Sequence, residues 1–365
     1  MKVEFSKDGI FEYLRARQNI FMKNYVPLLP ILFAFVIISC NNSTNAATET
    51  ASAHDSNGKQ QNVPAVSATL DTAKYNQLLL EMANGDSSGR WPVKAAPLPL
   101  PGAILPFNRI IAYYGNLSSK KMGALGKWQK DTMIRNLLSE VKKWNDADST
   151  TPAIPGLHYI AVTAQGAAGK DGKWRLRMPF KQIDTVLSWA KEINAVVFID
   201  VQIGLSTLQE EIPQFEKYLS MPNVHLGIDP EFAMNGKGGK KPGSVIGTMS
   251  ASEINWVGDY LAGLVKKNNL PPKIFMIHRF TKGMVPDAKQ IKLHPELQIV
   301  MDMDGWGPPD LKKGSYRYWI NEEPVQFTGF KLFYVNDTEK SGQKEMMTRQ
   351  EILKLKPKPL YIQYQ

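Results

Sequence analysis

Cysteine is almost absent from the chain. Among its 365 residues there is one cysteine, Cys40. A single cysteine cannot form a disulfide within the chain. Cysteine-rich zinc sites and thiol catalysis in the folded part are excluded with it, since both need cysteines that the sequence does not contain. Cys40 must therefore serve another purpose, and its position near the N-terminus indicates which one.

Histidine is scarce as well, and several catalytic motifs are missing. The chain has five histidines, and no two of them are spaced H-x-H or H-x-x-x-H, as in familiar zinc sites. No G-x-S-x-G nucleophile elbow is found. The glycines that follow the first predicted strand, Gly115, Gly123 and Gly126, lack the G-x-G-x-x-G spacing of dinucleotide-binding folds. We expect neither a cofactor nor a metal ion from these patterns.

The positive charge is not organised for nucleic acid. The formal net charge is +10, and basic residues cluster only modestly, in Lys237–Lys241 and Lys354–Lys358. Neither cluster lies on a predicted amphipathic helix or alternates with aromatic residues, as a nucleic-acid groove would. The sequence therefore predicts no nucleic-acid partner.

The only long apolar run ends at the single cysteine. Lys23 precedes an apolar stretch from Val26 to Ile38, which is too short to span a bilayer. The residues Ile37-Ile38-Ser39-Cys40 then match a bacterial lipobox. We expect Cys40 to be lipidated and to attach the exported protein to a membrane of the cell envelope.

These features divide the chain into four parts. Residues 1–21 precede a second methionine, Met22, and are rich in charge, which indicates a mis-called upstream extension. Residues 22–39 are the predicted lipoprotein signal peptide, and residues 40–70 are small and polar, as in a disordered tether. Residues 71–365 carry aromatic residues throughout and are predicted to form one folded domain. The oligomeric state is left open.

The folded part repeats one pattern, in which a short apolar run alternates with a segment of helical period. Eight such runs are bounded by turn residues: Arg109–Asn116, His158–Gln165, Ala195–Gly204, Val224–Phe232, Lys273–Phe280, Leu297–Gly305, Phe327–Val335 and Leu360–Gln365. Capping boxes at Ser250–Glu253 and Thr348–Glu351 precede two of the predicted helices. Eight alternations predict an α/β fold, a (β/α)8 TIM barrel whose last strand lies at the C-terminus. A doubly wound open sheet is the alternative, and the segment Tyr75–Met82 is expected to cover the barrel bottom.

Polar residues stand near the carboxyl ends of these strands, where buried parallel strands should be apolar. They are Asp200, Gln202, Asp229, Glu231, His278, Asp302, Asp304, Lys331 and Gln363. Residues two apart on a strand share a face, so the pairs Asp229/Glu231 and Asp302/Asp304 should point to the barrel axis. Ile228, Met301 and Met303 should then point outward to the helices. Any one aspartate can be only the cap of a turn, but five acids on three strands favour a functional mouth.

The motif Asp229-Pro230-Glu231 resembles the D-x-E of chitinase-like and lysozyme-like barrel glycoside hydrolases, in which the glutamate is the general acid. The longer acidic motif of chitinases is absent. Residues 105–365 as a whole are similar to a group of uncharacterised bacterial lipoproteins with a predicted TIM barrel. The shared segments are Gly227–Phe232, Ile277–Phe280, Met303–Gly305 and Gly329–Tyr334. The resemblance implies a fold and, through the D-x-E motif, chemistry on a glycan.

We therefore expect a lipid-anchored glycoside hydrolase-like enzyme. Its catalytic carboxyl groups would be Glu231 as acid, Asp229 to raise the pKa of Glu231 by like-charge repulsion, and Asp304 or Asp302 as opposing base or nucleophile. The predicted substrate-binding residues are Asp200, Gln202, His278, Tyr113, Tyr114, Trp306, Lys331 and Tyr334. His278 is as much expected to have a structural role as a catalytic one. Lys331 is expected to form an ion pair with a neighbouring acid rather than to act in Schiff-base chemistry.

Two other functions remain open at this point. One is a non-catalytic envelope lipoprotein that binds a glycan or another ligand. The other is a metal-dependent hydrolase. It predicts that at least three residues of one set converge on a single point. The set is Asp200, Asp229, Glu231, His278, Asp302 and Asp304.

Overall fold

A computed structural model describes residues 69–365 of the chain. The predicted upstream extension, the signal peptide, Cys40 and nearly all of the predicted tether lie outside the described residues. Within residues 69–365, no helix combines the length and the apolar character needed to cross a membrane.

Eight parallel strands close into a barrel. Their neighbours follow the order β1–β2–β4–β5–β6–β7–β8–β9, and β9 pairs back to β1. The bounds are β1 Arg109–Gly115, β2 Ala153–Ala164, β4 Val196–Val201, β5 Val224–Ile228, β6 Lys273–Arg279, β7 Leu297–Met303, β8 Phe327–Leu332 and β9 Tyr361–Tyr364. This closure confirms the predicted (β/α)8 barrel and contradicts the open-sheet alternative. A short strand that the sequence did not predict, β3 (Arg175–Arg177), pairs antiparallel with the end of β2.

Helices surround this barrel. They are α1 Thr72–Ala83, α2 Ala124–Lys127, α3 Lys130–Ala147, α4 Phe180–Glu192, α5 Leu208–Glu211, α6 Glu216–Leu219, α7 Ala251–Asn268, α8 Pro309–Ser315 and α9 Arg349–Leu353. Helical periods in the sequence predicted all of these except α2 and α8. Both predicted capping boxes are present. Ser250 and Glu253 exchange hydrogen bonds at the start of α7, and Thr348 and Glu351 do so at the start of α9.

Alternate residues of the strands belong to two separate apolar clusters. Ile228, Met301 and Met303 lie in the outer cluster together with residues of the surrounding helices, as predicted. The inner cluster fills the lower part of the barrel, with contributions from Ile110, Phe198, Ile274, Met276 and Val300. This separation follows from the two-residue period of side-chain direction along a strand.

The N-terminal end of the barrel is covered from below. Tyr75 and Met82 of α1 are buried in the inner cluster, which confirms the expected position of this helix. The Gln298 side chain, on β7, accepts hydrogen bonds from the backbone amides of Ile104 and Leu105 and so holds the covering loop to the barrel. Apolar residues predominate at this end, and most of the buried acidic residues of the barrel strands lie towards the opposite end, where the strands terminate.

Candidate active site

The carboxyl ends of the strands bring most of the predicted polar residues together. Nearly all of them are buried, and the most exposed of the buried acids, Asp304, has 6% of its surface accessible. The group comprises Tyr114 on β1, Asp200 on β4, Gln202 after it, Asp229 after β5, His278 on β6, Asp302 and Asp304 at the end of β7, and Lys331 on β8. Burial of this many ionisable groups requires that they neutralise one another.

Asp200 lies at the centre of the cluster. The Tyr114 hydroxyl donates to its Oδ2 at 3.0 Å, while Nε2 of His158 and Nε2 of His278 lie 3.2 and 3.5 Å from its Oδ1. Burial opposes ionisation of Asp200, but the two imidazoles outweigh it and hold the pKa of this carboxyl well below its usual range. Asp200 is therefore a carboxylate at neutral pH. Gln202 supports the arrangement by donating to the Tyr114 hydroxyl at 3.1 Å.

Three carboxyl groups surround His278. Besides Asp200, Asp304 Oδ2 lies 3.0 Å and Asp302 Oδ2 lies 3.4 Å from its Nδ1. Burial disfavours the imidazolium, but the charge of Asp304 and the contacts with all three carboxyl groups raise the pKa of His278 well above its usual value. The imidazole ring of His278 therefore carries a positive charge at neutral pH.

Lys331 supplies a second positive charge. Its Nζ lies 2.9 Å from Asp304 Oδ1 and 4.0 Å from the centre of the Tyr114 ring, which confirms the predicted ion pair. Burial favours the neutral form of Asp304, but Lys331 and His278 outweigh it and lower the pKa of that carboxyl. Burial dominates at Asp302, whose pKa is raised. The two neighbouring acids therefore differ in their affinity for a proton.

The prediction that Asp229 and Glu231 share one strand face is wrong. β5 ends at Ile228, and residues Pro230–Phe232 form a 3-10 turn. Pro230 has no N–H to continue the strand ladder, and the Asp229 side chain accepts from the Glu231 backbone N–H at 3.0 Å. Asp229 is thus the cap of a turn and is buried, whereas Glu231 is half-buried at the mouth.

Both of these acids bind protons unusually tightly. Burial raises the pKa of Asp229 to about 7. Burial, followed by the charges of Asp229 and Asp304, raises the pKa of Glu231 to about 8. The like-charge repulsion expected from the sequence is present but second to burial. The two carboxyl groups titrate as a pair, and Glu231 is mostly protonated at neutral pH.

Two of the predicted substrate-binding aromatics lie elsewhere. Tyr113 points away from the barrel axis, because it neighbours the inward Tyr114 on the same strand. Its hydroxyl lies 3.1 Å from that of Tyr334, and the two rings pack with Trp128 and Tyr364 in the outer layer. Tyr113 and Tyr334 therefore do not line the mouth. Trp306 follows β7 and is half-buried at the rim.

The sequence did not identify two members of the cluster, His158 and Tyr361. β2 begins at Ala153, five residues before the predicted start at His158, so this histidine lies inside the strand. Its Nδ1 is 2.6 Å from the Tyr361 hydroxyl, which donates to Gln363 Oε1 at 3.2 Å. Burial lowers the pKa of His158 to about 4. A histidine in an otherwise apolar run was the one available signal.

Comparison with known proteins assigns no role to these residues. Comparison of the chain with protein-family models and with curated proteins finds no match. The functional assignment therefore rests on the fold, an α/β barrel of eight parallel strands, and on the geometry of its mouth.

Proposed function

We propose that the protein is a lipid-anchored envelope enzyme that cleaves or transfers a glycosidic bond, with Glu231 as general acid. The observation that carries the proposal is the half-buried carboxyl of Glu231, protonated at neutral pH, at the carboxyl end of a barrel strand. Barrel enzymes place their chemistry at this end. A protonated carboxylic acid is the group that a glycosidic leaving oxygen requires.

The opposing carboxylate in this proposal is Asp304. Its pKa is lowered by Lys331 and His278, so it stays ionised where Glu231 stays protonated. Two carboxyl groups with pKa values pushed apart are the signature of an acid and base pair. Asp302, with its raised pKa, is the less suitable base.

The positions of these acids also bear on stereochemistry. Glu231 follows β5 and Asp304 follows β7, and these two strands are separated by β6. We therefore expect a separation of roughly 6.5–9.5 Å in the working enzyme and inversion at the anomeric carbon, since a retaining pair lies only about 5–5.5 Å apart.

The remaining polar residues support the acids in this scheme. Tyr114, Asp200, Gln202, His278 and Lys331 are linked to one another by direct contacts. In this scheme their main role is to set the charge of the mouth, and contact with a large substrate is secondary. Trp306 and Phe232, both half-buried after their strands, are the aromatic surfaces available for a sugar ring.

The proposal is tested by screening the soluble domain against a panel of glycans with the parent and Glu231→Gln. We expect the variant to lose about 10²–10⁴-fold in turnover, the usual worth of acid catalysis, while it keeps the fold. Activity of the parent should fall as the pH rises above about 8, because Glu231 then loses its proton. Glu345→Gln, at an exposed site, is the matched control.

Two outcomes would overturn the assignment. Equal turnover by Glu231→Gln and the parent shows that Glu231 is not the acid. Binding of a glycan without cleavage by the parent supports the non-catalytic envelope lipoprotein instead.

A further inference from the structure

Two histidines of the cluster aim the same nitrogen at one carboxylate oxygen. His158 Nε2 and His278 Nε2 lie 3.2 and 3.5 Å from Asp200 Oδ1. One possible ligand atom from each of the three residues lies within 4.8 Å of the other two. All three side chains are fully buried. In a tetrahedral zinc site with bond lengths of about 2.0–2.2 Å, two ligand atoms are about 3.3–3.6 Å apart. The two histidine–aspartate distances are close to that spacing.

The other nitrogen of each ring has an oxygen next to it. His158 Nδ1 is 2.6 Å from the Tyr361 hydroxyl, and His278 Nδ1 is 3.0 Å from Asp304 Oδ2. Metal-binding histidines usually have such a partner, which fixes the ring and turns its second nitrogen to the metal. For His158 this contact is a hydrogen bond, whereas for His278 it is an ion-pair contact without hydrogen-bond geometry.

The hydrogen bonds around Tyr361 sharpen this reading. His158 Nδ1 lies 2.6 Å from the Tyr361 hydroxyl, which donates to Gln363 Oε1. With its proton on Nδ1, shared with that hydroxyl, His158 would offer the lone pair of Nε2 to a metal ion. This Nε2 lies 3.2 Å from Asp200 Oδ1, so a cation held by both atoms would replace the proton that otherwise joins them.

His278 gives an independent indication. Although the side chain is fully buried, neither of its ring nitrogens has a hydrogen-bond partner of good geometry among residues 69–365. Buried polar atoms are nearly always satisfied, so an unsatisfied one needs an explanation such as an ion. Its Nε2 is the atom that points to Asp200.

β5, which lies between the strands of Asp200 and His278, leaves space for these side chains because its residue 227 is a glycine. A Cβ at Gly227 of β5 would lie 2.6 Å from Asp200 Oδ1 and 2.7 Å from His158 Nε2. Two imidazoles and one carboxylate form a donor set that suits Zn²⁺ and related first-row ions better than Mg²⁺ or Ca²⁺. Three protein ligands are also the number found at catalytic zinc sites.

We propose that His158, Asp200 and His278 form a Zn²⁺ site inside the barrel. The proposal rests on the positions of these three side chains and does not depend on the proposed action on a glycan. It also differs from the sequence-based expectation of no metal, since the three ligands come from three strands and form no motif along the chain.

The test is metal binding by the untagged protein. The protein is freed of metal with a chelator, incubated with Zn²⁺, dialysed and analysed by mass spectrometry of its metal content. We expect about one zinc per chain in the parent and a loss of at least tenfold in occupancy or affinity in His158→Gln, Asp200→Asn and His278→Gln. His225→Gln is the matched control, because His225 is also a buried barrel histidine but lies outside the cluster.

Two further measurements protect the test from misfolded variants. Zn²⁺ should raise the melting temperature of the parent and of His225→Gln but not that of the cluster variants. Co²⁺ in the parent should give the intense visible absorption of a tetrahedral site. Absence of stoichiometric zinc and of the cobalt spectrum in the parent, or unchanged binding in folded cluster variants, overturns the proposal and leaves a purely protonic cluster.

Discussion

Burial and its compensation set the charge of each ionisable side chain inside this barrel. Asp200 and Asp302 are both fully buried aspartates, yet their pKa values move in opposite directions. Asp200 has two imidazoles next to one of its oxygens, whereas burial prevails at Asp302. The residue type therefore does not decide the charge, and the partners contributed by neighbouring strands do.

Lys273, at the start of β6, illustrates the same point far from the mouth. Its ammonium group donates to the Met221 carbonyl, and burial lowers the pKa of Lys273 to about 7. Between about pH 7 and pH 10 the unfolded chain binds a proton that the folded chain lacks. The contribution of Lys273 to the free energy of unfolding should therefore rise with pH over this interval.

Lys273→Met should remove this contribution, so the free energy of unfolding should rise less with pH, or fall more, than in the parent. Urea denaturation at several pH values will measure the difference. The exposed Lys191→Met is the control and should keep the parental slope. The same slope in Lys273→Met and the parent would show that Lys273 keeps an ordinary pKa in the folded protein.

At the scale of the strand, glycine provides room for side chains of adjacent strands. Glycine in a strand normally weakens it. In this barrel, Gly227 on β5 lies against Asp200 and His158, and Gly329 on β8 lies against Asp302. The polar cluster therefore depends on missing side chains as much as on those present.

Gly227→Ala should destabilise the protein by about 1–3 kcal/mol, because the added methyl group overlaps two side chains held by hydrogen bonds. The shift of His158 and Asp200 should also weaken any ligand held between them. Gly263→Ala, at an exposed position of α7 with no atom within 4 Å of the new methyl group, should instead stabilise by up to about 1 kcal/mol. Thermal and urea unfolding of both variants will check the contrast, and equal stabilities would contradict it.

At the scale of the whole molecule, the barrel is sealed at one end and polar at the other. α1 closes the N-terminal end by burying Tyr75 and Met82 against interior side chains. The acids and the lysine of the polar cluster lie at the carboxyl ends of the strands, whereas the buried Lys273 and Arg109 stand at the starts of β6 and β1. A stable apolar base is what allows a destabilising cluster of buried charges to persist at the mouth.

Met82→Ala tests the contribution of this base. Met82 has 3% of its surface exposed and Leu80, two residues earlier on the same helix, has 65%. We expect the loss of about 2–5 kcal/mol in the free energy of unfolding for Met82→Ala. Leu80→Ala should stay within about 0.5 kcal/mol of the parent. Similar losses from both substitutions would mean that α1 does not seal the barrel.

The predicted lipid anchor belongs to the same scale. We expect Cys40→Ala to move the protein from the membrane fraction to the soluble fraction, or to leave the precursor uncleaved, because two or more acyl chains are needed for a stable anchor. Mass spectrometry should find the mature chain beginning at Cys40, with translation starting at Met22. Peptides from residues 1–21 in the mature protein would refute this prediction.

Local patterns in the sequence determined the architecture. Each strand and helix has its own period and its own turn or capping residues, and these depend only on neighbours along the chain. The eight strands, the two capping boxes and the outward direction of Met301 and Met303 followed from such patterns. So did the collection of acids at the mouth, since parallel strands all end on the same side.

Only the tertiary structure decided how the mouth is assembled. His158 and Tyr361 meet because β2 and β9 both flank β1, a relation between strands at opposite ends of the domain. Glu231 lies on a turn beyond β5, and its raised pKa reflects burial. Burial and contacts between distant strands exist only after the barrel closes, so no pattern along the chain encodes them directly.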